Sequence, residues 1–181
     1  MYPVMADSCS ASALPAGLPA YAGYVDGRWP SFYAIVPRFG KVAHCVSITT
    51  HHNNARIIDC ELGDATPETA ARWLVDRVPA GLGGRWSAQF ARQTGVTATW
   101  RPGVYFAAAN RAAVLAAIKA EAPGLIRSSF VLWEADWTGY PAARLPEGID
   151  AQQYLNDADA NVDYSSCGPN MFEGIGMASA S

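Results

Sequence analysis

Ile57-Ile58-Asp59-Cys60-Glu61 is a short β-branched run that closes on two acidic residues. Successive side chains of a strand point to opposite faces, so Asp59 and Glu61 face one space and Cys60 the other. Three more runs carry an acidic residue near a strand end: Val4-Met5-Ala6-Asp7, Phe130-Val131-Leu132-Trp133-Glu134-Ala135-Asp136 and Asn161-Val162-Asp163-Tyr164. Repeated strands ending in carboxylates are how a β/α barrel builds a site, because the C-terminal ends of its parallel strands converge on one mouth. The spacing therefore predicts an α/β fold: a reduced TIM-like barrel.

The rest of the chain supports this. Strand-like runs cover roughly 3–8, 21–27, 42–50, 55–61, 96–107, 130–137, 148–155 and 162–165, enough to close a barrel of the usual size. Thr66-Pro67 reads as a helix start, and Ala70, Ala71, Trp73, Leu74 and Val78 form an apolar helical stripe stopped at Pro79. Asn110 reads as the cap of an Ala-rich helix to about Glu121, closed by Pro123-Gly124. Short helices are also expected over 31–39 and 85–93, and a turn at 51–54. After residue 130 the connections are rich in Gly, Pro and Asp, without helical periodicity. The front of the chain thus reads as strand–helix units and the back as strands alone. Residues 1–167 form the predicted barrel, and 168–181 a small-residue tail.

Composition narrows the partners. The chain has 181 residues, half of them hydrophobic, which suits one domain with a sizeable core. With 13 Lys and Arg against 16 Asp and Glu and no basic block, neither nucleic acid nor an anionic membrane surface is an expected partner. No apolar run is long enough to span a bilayer, and the N-terminus lacks the basic and apolar regions of a secretory signal. Cys9, Cys45, Cys60 and Cys167 lack zinc-site spacing. Cys9 and Cys167 follow the first and last strands, which neighbour each other in a closed barrel. Either they pair there or all four are reduced thiols. His44, His51 and His52 lack the helical spacing of a zinc site, Gly81–Gly84 lacks the Lys-Ser/Thr of a phosphate loop, and no Gly-x-Ser-x-Gly elbow occurs. No metal and no cofactor are expected.

The ordered motifs resemble glycoside hydrolase family 25, the muramidases, and more closely the short members in actinobacteria and their phages. The resemblance rests on Ala6-Asp7-Ser8, Asp59-Cys60-Glu61, Pro102-Gly103-Val104-Tyr105, Trp133-Glu134-Ala135-Asp136-Trp137, Gln153-Tyr154 and Val162-Asp163, in the family's order. It implies a flattened (β/α)8 barrel with eight strands and about five helices. The chain departs from the family at Tyr24-Val25-Asp26-Gly27, where a Lys and a Glu-Gly are usual, at His44-Cys45-Val46-Ser47, where Tyr-His-Phe is usual, and at Gln152, which replaces a Trp.

Glycosidic cleavage needs a proton donor to the leaving oxygen and a carboxylate that supports the positive sugar centre. Burial and neighbouring negative charge both raise a carboxyl pKa, so Glu61, beside Asp59 and near Asp7 across the mouth, is the expected general acid. The resemblance gives Asp7, Asp59 and Asp163 the task of holding substrate or stabilising the transition state. Tyr105, Trp133, Asp136, Trp137, Gln153, Tyr154 and Asp26 are candidate substrate-binding residues, the aromatic ones by stacking on sugar faces. Core packing is the alternative for Trp133 or Trp137, loop capping or pairing with Arg56 or Arg72 for Asp59 and Glu61, and salt-bridging for Glu134.

Two functions follow. One is a peptidoglycan-directed glycosidase, such as a phage lysin made in the host cytoplasm and acting on the cell-wall glycan after release. The other is a non-catalytic virion or surface protein that reuses the barrel for carbohydrate binding or assembly, contacting virion proteins or itself through the tail.

Overall fold

The computed structural model describes residues 1–24, 44–50, 55–85, 101–157 and 160–172. Eight strands close into a barrel in sequence order: β1 (Val4–Ser8), β2 (Ala20–Tyr24), β3 (His44–Thr49), β4 (Ile57–Cys60), β5 (Gly103–Ala107), β6 (Val131–Ala135), β7 (Ala151–Asp157) and β8 (Val162–Cys167). Strands β1 to β7 pair in parallel. β8 runs antiparallel to both β7 and β1, so the barrel is mixed. The run from Asp157 to Val162 is far shorter than the crossover of about a dozen residues that a parallel partner requires, so only a hairpin return is open to it.

This orientation decides the site. Asp163 lies at the start of β8, not at its end, and in a parallel strand it would sit on the floor. Reversal carries it to the mouth, directly opposite Asp7. The same reversal puts Cys167 at the floor, where its N–H donates to the Pro3 carbonyl at 2.9 Å. Cys9 follows the mouth end of β1. The length of β1 separates the two cysteines, far beyond the reach of a disulfide, and none of the four cysteines is in a disulfide.

Two α-helices occur among the described residues: α1 (Pro67–Val75) and α2 (Arg111–Glu121). Thr66 caps α1, its hydroxyl accepting from the Thr69 N–H at 3.3 Å, and Pro67 and Glu68 suit the first turn. The helix ends at Val75, earlier than the Pro79 stop. Asn110 precedes α2 but makes no capping bond. It ends a 3-10 turn (Ala108–Asn110) in near-helical geometry, φ −92° and ψ −3°, whereas a capping side chain needs extended backbone. The helices expected over 31–39 and 85–93, the turn at 51–54, and most of the tail fall outside the described residues. No helix among the described residues is long and apolar enough to cross a membrane.

Strand alternation divides the core into layers. Inward-facing Met5, Ala20, Ala22, Val46, Ile48, Ile57, Val131, Trp133 and Ala151 fill the barrel, and Met171 from the 3-10 turn Pro169–Met171 joins them from below. Outward-facing Ile58, Cys60, Val104, Phe106 and Leu132 pack on Ala70, Trp73, Leu74, Val114 and Ile118 of the helices. Each large apolar side chain buried this way contributes about 1.5–3 kcal/mol. Gly103 is required: a Cβ there would lie 2.3 Å from Val131 Cγ2 and 2.6 Å from Ile57 Cδ1. Glu134 faces outward and is fully buried, but Arg111 of α2 grips it with two bonds of 2.5 Å, the salt-bridging role considered for it.

Candidate active site

The mouth holds a cavity of about 360 Å³. Asp7, Asp59, Glu61 and Asp163 all line it, joined by Asp64. Asp7 is the penultimate residue of β1, Asp59 lies within β4, Glu61 falls just past β4, and Asp163 is the second residue of β8. The alternation that sends Ile58 and Cys60 to the helices sends Ile57, Asp59 and Glu61 inward.

Polar contacts fix the wall. Gln153 of β7 accepts at Oε1 from Tyr105 Oη and from Trp137 Nε1, each at 2.9 Å. An indole N–H can only donate, so the amide is oriented with its NH2 toward Asp7, 3.3 Å from both carboxylate oxygens. Trp133 is buried at the base of the cavity. Its Nε1 donates to Ser165 Oγ at 3.0 Å, and its ring meets Tyr105 edge-on at 4.8 Å. Trp137 is 58% exposed at the rim, its free face suited to stacking. Ser8 donates its hydroxyl to the Asn161 carbonyl, latching the β7–β8 turn to the end of β1. Asn161 takes a positive φ of 53° in that turn, a conformation asparagine tolerates.

Asp7, Asp163 and Glu61 hold protons unusually well. Asp7 is raised well above the ordinary aspartate range, first by burial and then by the Asp163 charge, with Asp59 and Glu61 adding to the effect. Asp163 is pushed up to about 6 by burial and then by Asp157. Glu61 is raised by burial and then by Asp64, against a hydrogen bond with Tyr105 that lowers it. Clustered like charges in a partly dry site disfavour ionisation, as a proton donor requires.

Not every expected residue reaches the cavity. Asp136 is exposed beyond β6 and accepts from Gln152 Nε2 at 3.3 Å. Tyr154 is buried off the cavity wall, at the register shift between Gln153 and Leu155 that interrupts the β7–β8 ladder. Neither lines the mouth. Asp26 lies outside the described residues. Arg56 does not pair with Asp59: its Nε donates to the Arg101 carbonyl at 2.9 Å, on the floor side of the barrel. His44 stacks on Phe172 at 4.6 Å, away from the mouth, while His51 and His52 lie outside the described residues. Among the described residues no group of three or more His, Cys, Asp or Glu side chains is placed to hold a metal ion.

Tyr24 and Asp64 are among the cavity-lining residues that sequence reasoning did not single out as site candidates. Tyr24 ends β2 and donates its hydroxyl to Asp59 Oδ2 at 2.5 Å. Its inward position was readable from the alternation Ala20, Ala22, Tyr24. Asp64 sits in the loop after β4, where no periodicity marks it.

Comparison of the chain with protein-family models, curated proteins and solved structures gave no match in any of the three.

Proposed function

We propose that this protein is a glycoside hydrolase of muramidase type, acting on a cell-wall glycan through the carboxylates of the barrel mouth. The observation that carries this reading is the convergence of Asp7, Asp59, Glu61 and Asp163 on one aromatic-walled cavity, with Glu61 raised toward the proton-holding range. In this reading the fold is a reduced (β/α)8 barrel that has lost the helices of its last connections. Glu61 gives its proton to the glycosidic oxygen as the bond to the anomeric carbon breaks. A neighbouring carboxylate supports the positive sugar centre. Water then adds its hydroxyl to that carbon and returns a proton to Glu61, so the net change is hydrolysis. The exposed Trp137 face and the Tyr105 edge offer stacking and contact surfaces to sugar rings. A phage lysin released to the wall, without metal or cofactor, is the setting that fits.

The test is release of reducing ends from purified actinobacterial peptidoglycan by the wild-type protein and by Glu61→Gln. Activity lost in a folded variant upholds the reading. No activity in either protein, over several wall types and pH 4–8, refutes it and leaves a binding or assembly role for the barrel.

A further inference from the structure

We propose that Tyr24 is a positioning residue that fixes which mouth carboxylate stays ionised, its hydroxyl holding Asp59 as the anion while the proton remains with Glu61. The catalytic consequence rests on the glycosidase reading; the assignment of charge does not.

The geometry is local and specific. Asp59 is almost wholly buried, and a buried carboxylate stays charged only where donors replace water. Tyr24 Oη lies 2.5 Å from Asp59 Oδ2, in the range of O–H donors to ionised oxygen and shorter than the usual neutral hydroxyl contact of about 2.7–2.8 Å. The Tyr24 hydroxyl is itself pushed far above its ordinary range, first by burial and then by the Asp59 charge, so it remains a donor at any working pH.

The other carboxyls are served differently. Asp7 on β1 faces Asp163 on β8 across the ladder, and among the described residues it receives a long, shared amide contact from Gln153. Asp163 also faces Asp157. Glu61 lies near Asp64 and contacts Tyr105 of β5, whose hydroxyl donates to Gln153 Oε1 at 2.9 Å. Ile48 of β3 and Trp133 of β6 bring no charge to the cavity. Among these groups Asp59 has the shortest hydroxyl donor. Such a bond favours the ionised form over the neutral one.

A tyrosine that served packing alone would be replaced by phenylalanine without electrostatic effect. The experiment is a carboxyl carbon-13 NMR titration of aspartate-labelled protein, wild type and Tyr24→Phe, with the Asp59 signal assigned by its loss in Asp59→Asn. In the wild type Asp59 is expected to have the lowest midpoint of Asp7, Asp59 and Asp163. In Tyr24→Phe that midpoint is expected to rise by about one to two pH units. An Asp59 midpoint above that of Asp163 in the wild type overturns the proposal, and this ordering decides it even if the variant fails to fold. An unchanged Asp59 midpoint in a folded Tyr24→Phe overturns it equally. Where activity is present, the acid limb of the kcat/KM profile is expected to move upward with the Asp59 midpoint. A shifted midpoint in a protein without hydrolytic activity upholds the charge assignment and refutes the glycosidase reading alone.

Discussion

Asp163→Asn is expected to stabilise this protein at neutral pH and to leave it unchanged in acid. Asp163 sits half-buried at the mouth, opposite Asp7 and near Asp157, and holds its proton up to about pH 6, against 3.8 in the unfolded chain. Between those two values the folded state binds the extra proton, so stability falls as pH rises and reaches its lower plateau above about 6. The full linkage amounts to about 3 kcal/mol. Solvent screening at a half-buried group reduces it to about 1–2 kcal/mol. An asparagine has no charge to desolvate and no repulsion with Asp157, so the variant lacks this slope. Urea unfolding followed by circular dichroism from pH 3.5 to 8 reads the difference. With a slope of about 2 kcal/mol per molar urea, the variant midpoint is expected about 0.5–1 M higher at pH 7.5, converging with wild type below pH 4. A difference of constant size across that range, or a variant less stable at pH 7.5, refutes the reasoning.

Gly103→Ala forces a methyl group against Val131 and Ile57 and is expected to cost about 1–3 kcal/mol, read as a lower urea midpoint. Arg111→Met leaves Glu134 buried without its partner and is expected to cost about 3 kcal/mol, most of it recovered in the Arg111→Met/Glu134→Gln double variant; a simple sum of the two single effects would show that the pair is uncoupled. Trp137→Ala should leave the thermal midpoint within about 2 °C of wild type, because the ring is more than half exposed, while weakening oligosaccharide binding by about tenfold in calorimetry. Hydrolysis is expected to fall as pH rises through the raised Glu61 titration, since the donor form is then lost, and a rate still climbing above pH 8 would exclude Glu61 as the acid.

Much of this was legible in the chain. All eight strands lie within the expected runs or overlap them, because period-two alternation and the flanking Gly, Pro and Asp residues are local signals. Asp59 and Glu61 share a space because residues two apart on a strand must, and Cys60 packs on the helix layer for the same reason. Helix α1 begins where Thr66 and Pro67 place it. The failures have equally physical causes. Asn110 has the right side chain for a cap but the wrong backbone. Asp136 follows the last residue of β6, so strand alternation no longer aims it. The register shift after Gln153 takes Tyr154 off the cavity wall that Gln153 lines.

The sequence by itself determined where the strands lie and that Asp59 and Glu61 share a face, since these depend on spacing along one strand. Tertiary structure alone decided the company each group keeps. The reversal of β8 brought Asp163 against Asp7 and separated Cys9 from Cys167. Closure of the barrel brought Tyr24 of β2 onto Asp59 of β4, and Gln153 of β7 onto Asp7 of β1. A carboxyl's charge depends on the donors, the charges and the water around it, and those arrive from strands far apart in the chain.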